Sequence, residues 1–120
     1  MTESQIYTIA GCVLFKSSYV RLLMGVDGIM FVTDSNEERL HENSAYLTKL
    51  EMIISSLGRD SATVPILLQY NKRDLANAAS LSSLNARLNQ RQWPTVESVA
   101  LQGQGVLEAF TVIRKLLGYP

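Results

Sequence analysis

VPILLQYNKRDL, residues 64–75, runs through hydrocarbon and then breaks into an amide, an amine, a guanidinium and a carboxylate at Asn71, Lys72, Arg73 and Asp74. The apolar part is too short for a buried helix and reads as a buried strand over PILLQY, 65–70. A strand that ends so sharply in charge delivers polar groups to the carboxyl edge of a sheet, where open α/β sheets bind their ligands.

Working outward, GIMFVTD (28–34) reads as a second buried strand, QIYTI (5–9) as another, and VESVA (96–100) as a shorter one. Between 34 and 65 lies the clearest helix. Ser35 with Glu38 forms an expected capping box; Leu40, Leu47, Leu50, Ile54 and Leu57 share one face, and Gly58 provides a stop. A helix is expected from Ser17 to Met24, ended by Gly25. Another opens at Ser80 with Leu81, Leu84 and Leu88, and a last one carries Val106, Phe110, Ile113 and Leu117 beside Ala109 and Leu116. Strands alternating with helices of this length imply crossover connections and an α/β fold, with a mostly parallel sheet of about four strands.

The chain has 120 residues, 47% of them hydrophobic, which suits one domain over 1–120 with a single core. Eleven basic residues balance eleven acidic ones, so no general attraction to nucleic acid or to an anionic membrane is expected. No apolar run is long enough to span a bilayer. A lone cysteine, Cys12, excludes an internal disulfide or a multi-cysteine metal site and, with no signal sequence, points to a cytoplasmic protein. Cys12 with His41 as its base would make a nucleophilic pair; the plainer reading is a packed thiol and a surface imidazole. Met24, Met30 and Met52 read as core filler, and Trp93 as packing for the turn into the last strand.

Asn71-Lys72-Arg73-Asp74 has the form N-K-x-D, and its place after a buried strand resembles the guanine-recognition motif of Ras-like small GTPases. In that family the Asp carboxylate accepts two hydrogen bonds from the ring N–H and exocyclic amine of guanine, a pair that adenine lacks. The resemblance assigns that role to Asp74. It lays the Lys72 stem over the base, has Asn71 tie neighbouring loops and gives Arg73 no part. SVALQGQGV (98–106) resembles the second guanine loop, with the Ala100 N–H directed at the guanine carbonyl oxygen and Val99 in place of the usual Ser or Thr. GVDGIMFVTDSNEERLHEN (25–43) is similar to the strand and helix before the motif in Arf-like and bacterial members. YTIAGC (7–12) resembles the D-x-x-G-Q phosphate motif and, in particular, its form in bacterial polarity and gliding-motility GTPases of the mutual-gliding-motility type, which tend to carry a threonine where Thr8 stands. Gly11 and Cys12 are thereby placed near the phosphates, with Cys12 at the position of the water-orienting glutamine.

The same resemblance implies a truncated P-loop NTPase domain. No Gly-Lys-Ser or Gly-Lys-Thr occurs in the sequence, so the phosphate-loop contacts of the family are not expected from these residues. GTP or GDP is the implied ligand, with Mg2+ only if a partner completes the site, and hydrolysis by this chain alone is not expected. Without the family's first strand and helix, strand 5–9 either moves beside 28–34 or leaves a gap. Val106–Leu117 would then cover one sheet face alone, so a complementary chain or homo-oligomer is expected to hide what remains. Regulators and effectors are implied by the family. The alternative function is a nucleotide-free interaction module that keeps the helices as a binding surface.

Overall fold

Three parallel strands, β1 (Ile29–Asp34), β2 (Ile66–Asn71) and β3 (Thr95–Glu97), form a sheet with β2 in the middle. The structure is a computed structural model that describes residues 5–7, 17–60 and 63–119. Ile66 to Tyr70 are all buried, as the apolar run requires. Successive side chains of a strand point to opposite faces. Ile66, Leu68 and Tyr70 therefore enter one core with Leu47, Ile54, Leu84 and Leu88, while Leu67 enters a second with Val96, Ala109 and Ile113. The Tyr70 hydroxyl reaches Asn85 Oδ1 at 2.7 Å, and burial pushes its pKa up to about 12.

Four helices accompany the sheet among the described residues: α1 (Ser17–Gly25), α2 (Leu40–Ser56), α3 (Leu81–Leu88) and α4 (Val106–Leu116). Residues of α1, α2 and α3 build the larger core, and α4 builds the smaller one. In α2, Leu47, Leu50, Ile53 and Ile54 are buried at helical spacing. Its end is closed by Gly58 at φ 75°, where Gly58 N–H donates to Ser55 O and Arg59 N–H to Ile54 O. These two bonds satisfy carbonyls that the helix leaves open, in a geometry that needs the left-handed conformation glycine tolerates. The Arg59 guanidinium then donates to Leu23 O and Val26 O at 3.0 and 2.7 Å, joining the ends of α2 and α1. Ser80 caps α3, its hydroxyl oxygen accepting from Ser83 N–H at 3.1 Å.

Several expectations are corrected. Ser35 does not cap. It is fully buried below the end of β1, its Oγ has no hydrogen-bond partner among the described residues, and the cap passes to Asn36, whose Oδ1 accepts from Glu38 N–H at 2.9 Å. A short 3-10 turn, Glu37–Arg39, therefore precedes α2. Of the strand expected at 5–9, Gln5, Ile6 and Tyr7 are exposed and form no strand, so the sheet has three strands among the described residues. Thr8 and Ile9 lie outside them. The last strand ends at Glu97 rather than 100, because Val99 pairs with Gln104 across a tight loop. Met30 packs against the smaller core and Trp93 against the larger, but Met24 and Met52 are exposed.

Leu68 is fully buried in the central strand and Leu101 is 100% exposed. Leu68→Ala is expected to lower stability by about 2–5 kcal/mol, and Leu101→Ala to change it by less than about 0.5 kcal/mol, as read from urea unfolding.

Candidate functional site

The parallel register brings Asp34 level with Asn71, and Tyr70 level with Glu97. Asp34, Asn71 and Ser98 thus end or follow their strands at the same edge of the sheet. Polar side chains converge there because hydrogen-bond partners from three separate chain segments meet at one height.

Asn71 is the centre of that edge. Its Oδ1 accepts from Ser98 Oγ at 3.0 Å and from Ala100 N–H at 2.9 Å, and its backbone oxygen accepts from Ser35 N–H at 3.0 Å. Ser98, 2% exposed, also accepts from Gln69 Nε2 at 3.0 Å. The chain Gln69–Ser98–Asn71 leaves no one of these oxygens orphaned, and each orphan in such a place would cost about 1–3 kcal/mol. The 98–105 loop can approach because of Gly105. At φ 78°, a Cβ there would stand 2.2 Å from Glu97 O, a contact no side chain could take.

Lys72 adopts φ 61°, a conformation uncommon outside glycine. Its ammonium donates to Asp34 Oδ2 at 3.0 Å, and Asp34 Oδ1 accepts from Asn36 N–H at 2.9 Å. Partial burial works against the Asp34 carboxylate. The Asn36 N–H, the Lys72 hydrogen bond and charge, and the Arg39 charge together outweigh it and hold the pKa below the ordinary value. Asp34 is thus the group that pins Lys72. Arg73 pairs with Glu97 at 3.1 Å and donates to Ala79 O at 2.6 Å.

Asp74 differs from its neighbours. It is exposed, and its carboxylate has no hydrogen bond or ion pair with the described residues. Among the described residues, one shallow hollow lies along α4, lined by Leu107, Phe110 and Arg114, and another between α2 and α3; neither of these is lined by Asn71, Asp74 or Ala100. The Ala100 N–H expected to face a base is engaged by Asn71. Of the other expected site residues, Thr8, Gly11 and Cys12 lie outside the described residues. His41 is exposed, and among the described residues no cluster of three or more His, Cys, Asp or Glu side chains gathers as a metal site. Ser98, Arg73 and Gly105 were missed by motif reasoning. For Ser98 the available signal was a hydroxyl directly after a strand; for Arg73 there was none.

Comparison with known proteins gives a consistent frame for this arrangement. The model of the ADP-ribosylation factor family matches residues 3–117. Mutual gliding-motility protein MglA of Myxococcus xanthus (strain DK1622) is 37% identical over 116 residues, which are 97% of this chain and 60% of that protein. ADP-ribosylation factor-like protein 4A of Homo sapiens is 32% identical over 107 residues, 83% of this chain and 50% of that one. The chain therefore spans between half and three fifths of the length of these relatives.

A carboxyl whose folded pKa lies below its unfolded one stabilises the fold above the unfolded pKa and ceases to do so as pH falls through the folded pKa. The stability difference between the wild type and Asp34→Asn is expected to be flat above about pH 5. It should shrink as pH drops below 3.8, the ordinary aspartate value. Urea unfolding across that range reads it; a difference that stays constant to the lowest pH contradicts the assignment.

Proposed function

The chain belongs to the ADP-ribosylation factor family of small GTPases, and on that premise we propose that it binds a guanine nucleotide, GDP or GTP, through Asn71, Lys72, Asp74 and Ala100. The observation that carries the reading is the contrast at the N-K-x-D turn. Asn71, Lys72 and Arg73 are each spent on holding the strand ends together, whereas the Asp74 carboxylate has no partner among the described residues. A carboxylate offers acceptors only, so it matches the paired ring N–H and exocyclic amine of guanine and leaves adenine unmatched. Lys72, its head group held at Asp34, presents its alkyl stem as an apolar wall for the base. Ala100 N–H would share its proton between Asn71 and the guanine carbonyl oxygen.

Thr8, Gly11 and Cys12 are proposed to lie nearest the phosphates. Magnesium would neutralise phosphate charge when bound, and it belongs to the reading only where a complementary chain or a second copy completes the site. The thiol of Cys12 is a weak hydrogen-bond partner for water, so the role assigned here is binding rather than turnover. The similarity to a gliding-motility protein supports the reading of the chain as a component of a polarity, motility or signalling switch, acting through regulators and effectors.

Heating the purified protein should release guanine nucleotide, or added GDP should raise its melting temperature. Asp74→Asn is expected to weaken GDP binding about tenfold or more while favouring the xanthine nucleotide, whose C2 carbonyl can accept from the new amide. No nucleotide released and no shift with GDP would leave the nucleotide-free interaction module as the better reading; unchanged base preference in Asp74→Asn would refute the pairing.

A further inference from the structure

Arg73 follows the two residues that close the strand end and immediately precedes Asp74, yet its side chain is only 19% exposed. Three contacts account for this. Nη1 donates to Ala79 O at 2.6 Å, Nε donates to Glu97 Oε1 at 3.1 Å, and the backbone N–H donates to Ser98 O at 3.2 Å. Ala79 is itself 1% exposed, and its N–H donates to Ser35 O at 2.7 Å. One guanidinium therefore connects the far end of the 72–79 loop, anchored below β1, to the last residue of β3.

Between Arg73 and Ala79 the loop carries few bonds of its own, among them Leu75 N–H to Lys72 O and Ala78 N–H to Leu75 O, at 3.2 and 3.1 Å. Asp74 makes none with its side chain among the described residues. What fixes the direction of its carboxylate is the conformation of the backbone on either side. Asn77 and Ala78 tie the far part of the loop to the turn after β1, Glu37 N–H donating to Asn77 O at 3.1 Å and Asn77 Nδ2 to Asn36 Oδ1 at 2.9 Å, while Arg73 holds the stretch next to Asp74 and, through Ala79 O, joins it to the loop's end. A planar guanidinium can serve two acceptors in different directions at once, which an ammonium on a flexible stem does less well.

We propose that Arg73 is a positioning residue for base selection: by closing the 73–79 loop onto the end of β3, it holds the Asp74 carboxylate in the orientation that accepts two hydrogen bonds from one purine edge. The inference rests on the guanine reading given above. Preorganising an acceptor in this way matters most for the second of two hydrogen bonds, because both oxygens must then lie in the plane of the base.

The ratio of GDP to inosine diphosphate affinity isolates that second bond, since hypoxanthine lacks the exocyclic amine and is otherwise the same ring. The full chain is expected to favour GDP by about tenfold or more, the worth of one hydrogen bond to a charged acceptor. Arg73→Gln should cut the ratio by about fivefold, with Arg73→Lys intermediate. A purely structural role would lower both affinities together and leave the ratio intact. If Arg73→Gln does not fold, Glu97→Gln, altered at an exposed side chain, keeps the Ala79 contact and should still reduce the ratio by about twofold. A wild type that separates the two nucleotides while the folded variant keeps the full ratio overturns the role of Arg73. A wild type that binds neither, or binds both equally, overturns the guanine reading itself and this inference with it.

Discussion

One residue, Asn71, holds the candidate edge of this domain together. Asn71 Oδ1 accepts from Ser98 Oγ and from Ala100 N–H, while the backbone oxygen of the same residue accepts from Ser35 N–H. The side chain thus secures the loop after β3, and the main chain secures the turn after β1. Each hydrogen bond contributes about 1 kcal/mol net, but two of them share the one amide oxygen, so losing it strands the Ser98 hydroxyl and the Ala100 N–H together. The separation between what is fixed and what is offered follows from this. Asn71, Lys72 and Arg73 are occupied by protein partners, and Asp74 is left outward.

The strand beneath makes such an edge affordable. β2 is covered on both faces, with Ile66, Leu68 and Tyr70 in one core and Leu67 in the other, so its end is a rigid platform rather than a frayed tip. On one side α2 and α3 supply the cover, and on the other α4 does. α4 begins directly after Gly105, the residue whose missing Cβ lets the chain pass against Glu97 O and Ser98. Packing of the last helix and placement of the Ala100 loop are therefore one constraint. The same helix leaves Val106 and Leu107 exposed.

Much of this was legible in the residues, for reasons that are local. PILLQY could only be a buried strand; Leu47, Leu50 and Ile54 with Gly58 could only be an amphipathic helix and its stop; Ser80 and its helix needed no distant partner. What could not be read depends on contacts distant in sequence. Ser35 has the spacing of a cap but is drawn under the sheet by Asn71 O and Ala79 N–H, so Asn36 takes the cap. VESVA has the pattern of a strand, but Ser98 turns to Asn71 and Val99 to Gln104, and the ladder stops at Glu97. Gln5–Tyr7 have strand propensity without a neighbouring strand to pair with among the described residues. In the site, the motif named Asn71, Lys72, Asp74 and Ala100, whereas the part of Arg73 becomes visible only when the strand ends are brought to one level.

The central claim is that this strand-end cluster reads the edge of a guanine base. Amide-resolved NMR of the labelled chain, titrated with GDP and in parallel with ADP, tests it most directly. The account predicts that GDP shifts the backbone signals of Asp74 and Ala100, with Arg73 and Ser98 following, while ADP leaves them in place. Signals that stay unmoved by GDP at saturating concentration, or that move equally with ADP, would contradict it.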